Sequence, residues 1–168
     1  QRFTDQFGHT GNTQPFLAQF AAKVGEAAAT KFAQDGLKPE LARALAQVLA
    51  DLARVETLPG LLAGLKSNDV VARYLCARTL ADLKGSMASD KVKVDQVVQA
   101  VRQAGLADAA PVVLGRLYSA LAYPGFVPNV FDAYLALFDK RLEARRNSPT
   151  YADGKEIDAF EFFKAKNV

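Results

Sequence analysis

The chain has a single cysteine, Cys76, and a single histidine, His9, so any thiolate–imidazole catalysis would have to be built from these two. A nucleophilic thiol needs a neighbouring base or cation to hold it as the thiolate. Cys76 instead falls on the apolar side of a helical pattern, with Leu75, Ala77, Leu80, Ala81 and Leu83, where a small buried residue is expected. His9 lies in the polar, glycine-bearing stretch QRFTDQFGHTGNTQ, where a solvated surface residue is expected. The two would meet only if that stretch folded across residues 58–83. One cysteine also leaves no internal disulfide and no zinc cluster built on thiolates.

The carboxylates suggest no acid–base pair. Asp51 and Glu56 flank a predicted helix end, and Asp153, Glu156, Asp158 and Glu161 crowd the last predicted helix. Glu156 and Asp158 are two residues apart and do not share a helix face. A solvated face is the expected role. The segment ADGKEID lacks the spaced oxygen ligands of a calcium loop. Neither GxGxxG nor GxxxxGK[ST] occurs. No catalytic residue, metal ligand or cofactor site is expected, and the chain reads as a non-enzyme.

Binding residues are easier to nominate. Aromatic side chains gather between Tyr118 and Phe163, where they are expected to pack a C-terminal cap. The alternative is a partner-binding patch, because aromatics rimmed by arginine are enriched at interface hot spots. Phe160 and Phe163 face one way on the final helix and Phe162 faces another, so Phe162 and Tyr151 are the aromatic contact candidates. Beside them runs a basic edge of Lys140, Arg141, Arg145 and Arg146, diluted by Asp139 and Glu143. The chain's formal charge of +3 is spread evenly, without the concentrated stripe of a typical nucleic-acid binder.

The elements that must position these residues all read as helices. Phe16, Phe20, Val24 and Ala28 recur every four residues from Pro15 to about Gln34, with Gly36 as a stop. Pro39 opens a second helix, with Leu41, Leu45, Val48, Leu49 and Leu52 as a wide apolar stripe. Residues 58–83 then predict two short helices around the turn Ser67-Asn68-Asp69, the second ending at Gly85. Val94, Val97, Val98 and Val101 mark the next helix, ended by Gly105. Asp108 is the expected N-cap of a helix reaching about Tyr123, with Pro111 in its first turns. Residues 124–129 connect it to a long helix from about Val130 to Arg146, apolar almost all round near Phe131, Tyr134, Leu135 and Phe138. A short amphipathic helix carries Ile157, Phe160 and Phe163. That makes roughly eight helices and no strand, since nothing alternates with period two.

Internal similarity points to stacked hairpins. Leu49-Ala50-Asp51-Leu52 recurs as Leu80-Ala81-Asp82-Leu83, 31 residues on, and a second offset of 39 places Asp69 on Asp108 and Leu75 on Leu114. Helical-hairpin repeats have periods close to these. Residues 58–83 resemble a HEAT repeat through Pro59, Leu61, Leu62, Leu65, Asp69, Arg73, Ala77, Leu80, Ala81 and Leu83. Ala72 replaces the usual Val before the arginine, and Val112 and Ala42 stand where the neighbouring repeats would carry Arg. The resemblance implies an α-solenoid, and most such proteins are scaffolds. Some HEAT-like proteins are DNA glycosylases with a wall of aromatics, often Trp. This chain has no Trp, and Tyr74 is the only aromatic between Phe32 and Tyr118.

The expectation is therefore an all-α solenoid of about four irregular antiparallel hairpins. Residues 1–14 form an irregular arm and 15–168 one repeat domain, with 124–168 as its cap. The expected function is a non-catalytic protein-binding scaffold. Its alternative is nucleic-acid binding through the edge at 140–146. No apolar run reaches the ~20 residues that span a bilayer. The composition, 50% hydrophobic and 23% charged, is that of a soluble globular protein. A chain beginning at Gln1 is expected to be either a processed mature protein or part of a longer one, with cytoplasmic and exported locations both open.

Overall fold

The computed structural model describes residues 14–107, 110–123 and 128–147, and for 128 and 144–147 the backbone only. Their regular structure is all helical: α1 (Gln14–Phe32), α2 (Pro39–Leu52), a 3-10 turn (Val55–Thr57), α3 (Leu58–Gly64), α4 (Val70–Met87), α5 (Lys91–Ala107), α6 (Pro111–Leu121) and α7 (Pro128–Asn147). There is no strand among them. Most of the arm, Asp108 and the last predicted helix lie outside the described residues. Two compact units are present, one ending at Leu83 and the other beginning at Lys84, so the division falls within α4.

Helix starts follow the prolines. Pro39, Pro59 and Pro111 sit in the first turns of α2, α3 and α6, where a missing N–H costs nothing. The glycines behave less simply. Gly85 and Gly105, expected to end helices, lie inside α4 and α5. A glycine stops a helix when it takes the left-handed conformation, as many helix ends do. Among the described residues only Gly36 (φ 74°) and Ala53 (φ 44°) have positive φ. Ala53 closes α2 by donating its N–H to the Leu49 carbonyl at 3.1 Å. The 3-10 turn after it had no signal in the sequence.

In the first unit α1 packs against α3, the 3-10 turn and α2. The approach is close because the contact is made by glycines. A Cβ on Gly60 would fall 2.9 Å from the Gly25 carbonyl oxygen, and one on Gly25 would fall 2.9 Å from Thr57 Cα. The core is correspondingly rich in small residues, with Ala21, Ala28, Ala42 and Ala46 all buried beside Leu49 and Leu61. Thr57, also buried, satisfies its hydroxyl by donating to the Arg54 carbonyl at 2.7 Å.

In the second unit α5 packs on α6 and α7. The predicted edge Val94, Val97, Val98 and Val101 is buried. Tyr118 of α6 and Tyr134 of α7 meet with ring centroids 4.9 Å apart, tilted by 46°. Gly105 lets α7 approach: a Cβ there would lie 2.5 Å from Leu137 Cδ2.

Candidate functional site

Cys76 has no reactive surroundings. It is fully buried in α4, its sulfur set against Gly64 of α3, and burial pushes the thiol up to about 12. A thiol protonated to that pH is neither a nucleophile nor a metal ligand near neutrality. The native protein is expected to resist thiol-specific alkylation at pH 8 and to react fully only in denaturant. Rapid native labelling followed by mass measurement would contradict the burial. His9 lies outside the described residues.

Of the carboxylates weighed in the sequence, Asp153, Glu156, Asp158 and Glu161 lie outside the described residues, and the other two have local partners. Asp51 accepts a hydrogen bond from Gln47 Nε2 at 2.8 Å, and Glu56 pairs with Arg54 at 3.3 Å. Among the described residues no three His, Cys, Asp or Glu side chains are placed to hold a metal ion.

The most built polar feature is Asp69, whose side chain is only 8% exposed. Its Oδ1 accepts the Ala72 N–H at 2.9 Å and caps α4. Its Oδ2 accepts Arg43 Nε at 2.9 Å and Nη2 at 2.8 Å. The bonded Arg43 guanidinium, with help from the Ala72 N–H, holds the carboxyl below its usual range. Asp69 thus joins α2 to α4 across 26 residues of sequence. Arg73, the arginine that the sequence pattern picks out, donates instead to the Ser67 carbonyl at 2.8 Å and braces the turn.

A carboxyl with a depressed folded pKa stabilises the fold fully above its unfolded value near ~4. That stability is lost as pH falls from there through the folded value. Asp69→Asn is expected to flatten this acid-dependent loss, and Asp69→Ala to cost about 1 kcal/mol at pH 7 through the missing cap. Urea midpoints measured across pH 7 to 3 check both. An unchanged acid slope in Asp69→Asn would remove the carboxylate from the account.

Of the nominated contact residues, Tyr151 and Phe162 lie outside the described residues. Arg145 and Arg146 continue the backbone of α7, with no described side chain. Lys140 is exposed, and Arg141 is half-buried on the turn beyond buried Leu137.

The structure adds a feature that the sequence reading had folded into the core. The stripe of α2 divides. Ala42, Ala46 and Leu49 are buried, whereas Leu41 is 45% and Val48 37% exposed, with Leu45 and Leu52 half-buried. The outer set recurs at 4-3-4 spacing, a continuous row along one side of the helix. Helix α7 divides in the same way. Val130, Ala133, Tyr134 and Leu137 are buried, whereas Phe131 (37%), Leu135 (37%) and Leu142 (40%) are exposed, with Phe138 half-buried among them. Residues 131, 135, 138 and 142 again follow 4-3-4 spacing. A third apolar surface lies on α1, where Phe16 and Phe20 stack 6.4 Å apart in an open cleft of about 360 Å³. Its two charges, Lys23 and Glu26, pair at 3.0 Å.

The missed signal was angular. Ala42 and Ala46 form their own row with Leu49, about 120° round the helix from Leu41 and Val48 at ~100° per residue. Small residues on one row and large ones on the next mean that the close helix contact is made by the alanines.

No helix among the described residues is long and apolar enough to cross a membrane. No protein-family model, curated protein or solved structure matches this chain.

Proposed function

We propose that this chain is a non-catalytic, HEAT-like protein-binding module that presents apolar helix faces to an amphipathic helix of a protein partner. The observation that supports the reading is the exposed row on α2, Leu41 and Val48 flanked by half-buried Leu45 and Leu52. Its 4-3-4 spacing is the register in which helices recognise helices. Large apolar side chains exposed singly are ordinary, but an aligned row is not. The Arg43–Asp69 pair, joining a helix of one expected hairpin to the cap of the next, supports the HEAT-like part of the proposal. Protein rather than nucleic acid is favoured as the occupant because Asp132, Asp139 and Glu143 are exposed on α7 near Lys140, where they would repel phosphate.

A photo-crosslinking side chain placed at position 48 in the source cell is expected to capture a partner that the same group at position 47, on the polar side, does not. The isolated partner should then bind Leu41→Asp/Val48→Asp about tenfold or more weakly, the loss of one hot spot. The variant's thermal unfolding should be little changed, since both residues already face solvent. Capture at 47 and 48 alike, or unaltered affinity of the double variant, would overturn the reading.

A further inference from the structure

We infer that α2 takes a basic helix, seated by one large apolar side chain over Ala44. The inference rests on the reading that the exposed row of α2 is a docking face, and adds the chemistry of the occupant. Around α2, at ~100° per residue, the buried row of Ala42, Ala46 and Leu49 comes first. The outward row of Leu45, Leu52, Leu41 and Val48 follows. Beyond Val48 come Ala44 at ~40°, Asp51 at ~60°, Glu40 at ~80° and Gln47 at ~100°. Ala44, Glu40 and Gln47 are exposed and Asp51 is half-buried. No base of the helix lies between the row and these carboxylates. Arg43, the one base of α2, stands further round and is bonded to Asp69. Lys38 lies ahead of the helix in extended backbone, and Arg54 beyond its end pairs with Glu56 at 3.3 Å.

Leu41, Ala44, Leu45 and Val48 stand at i, i+3, i+4 and i+7, the four corners of a hole that accepts one side chain of a facing helix. Three corners are large and the fourth is a methyl, so the hole opens toward the acidic side. Along the axis Glu40 lies about 7 Å before its centre and Asp51 about 10 Å after, so the two carboxylates bracket it. A helix with a leucine in the hole would lay one edge over Ala44. Lysine or arginine on that edge would reach the carboxylates, whereas aspartate or glutamate would be repelled. The flank therefore sets the partner's charge where the leucines cannot. A second copy of α2 is a poorer occupant, since it would bring its own carboxylates and an arginine already bonded to Asp69.

The test uses the full chain and two designed helical peptides of about 18 residues. Both carry leucines at 4-3-4 spacing, one with lysines and one with glutamates along one edge, and binding is followed by fluorescence anisotropy at low salt. The lysine peptide is expected to bind roughly three- to tenfold more tightly, with the gap shrinking at high salt. Glu40→Gln/Asp51→Asn should abolish that gap. Ala44→Leu should weaken both peptides about tenfold by filling the hole, and circular dichroism should show each variant folded. Equal binding of the two peptides, or undiminished binding to Ala44→Leu, would overturn the inference and leave the α2 row as a docking face for a helix of other chemistry. Binding of neither peptide would overturn it too, and capture at position 48 in the cell would then decide the α2 reading by itself. Pairing of the chain with itself in sedimentation, lost in Leu41→Asp/Val48→Asp, would make a second copy the occupant and overturn it as well.

Discussion

Replacing Gly60 by leucine is expected to destabilise the first unit by roughly 3 kcal/mol or more, and Gly25→Leu to do the same. The reason is the atoms that a side chain would meet. The first atom of any side chain at Gly60 would sit 2.9 Å from the Gly25 carbonyl oxygen and 3.1 Å from Ala28 Cβ. At Gly25 it would meet Thr57 Cα at 2.9 Å and the Glu56 carbonyl oxygen at 3.1 Å. These are backbone atoms and a rigid methyl, so relief requires α1 and α3 to move apart. Separation would in turn loosen the contact of Leu49 Cδ1 with the same site. Against this stands the ~1 kcal/mol by which a helix prefers most residues to glycine. That gain shows alone at Gly85 and Gly115, where an added Cβ meets nothing within 4 Å. Gly85→Ala and Gly115→Ala are therefore expected to stabilise by up to ~1 kcal/mol each. Urea denaturation of the four variants decides it. Four shifts of the same sign would mean that the glycines act through helix propensity and not through the close approach.

The contrast shows what a single sequence can carry. Periodicity placed α2 and the valine edge of α5, because each buries a row of apolar side chains at helical spacing, whereas the start of α6 was legible from Pro111. Glycine was misread at 85 and 105, because the residue type gives permission for a left-handed turn without requiring one. Whether a glycine ends a helix or admits a neighbour depends on Leu137, 32 residues away, which local spacing cannot show. The same limit hid the bond between Arg43 and Asp69. The repeat pattern supplied Asp69 and pointed to Arg73, while the partner came from the preceding helix.

The candidate surfaces were legible in composition and not in direction. Leu41, Val48, Phe131 and Leu135 were all read as apolar helix residues, which they are. A stripe more than 100° wide can be buried throughout or split between core and solvent, and the two look alike along the chain. The split follows from the size of the neighbouring residues. Where alanines or a close-packed tyrosine make the contact, the adjacent row of large side chains is held away from it.

That split makes two adjacent residues of α7 differ sharply. Tyr134 is fully buried against Tyr118, and Tyr134→Ala is expected to cost about 3–5 kcal/mol, the range for deleting a large aromatic from a core. Burial also pushes the Tyr134 phenol well above its ordinary value, with the neighbouring Tyr118 adding to the shift. The ring should therefore stay un-ionised in the folded protein at pH values that ionise a free tyrosine. Leu135, the next residue, is turned about 100° away and is 37% exposed. Leu135→Asp is expected to change stability by less than about 1 kcal/mol, because the aspartate can keep its hydration. The measurement is a pair of urea titrations read by circular dichroism. A large loss at both positions would place the row in the core and withdraw it as a docking face. A large loss at Tyr134 alone would leave Leu135 as a side chain whose apolar surface is available to a partner and nearly dispensable to the fold.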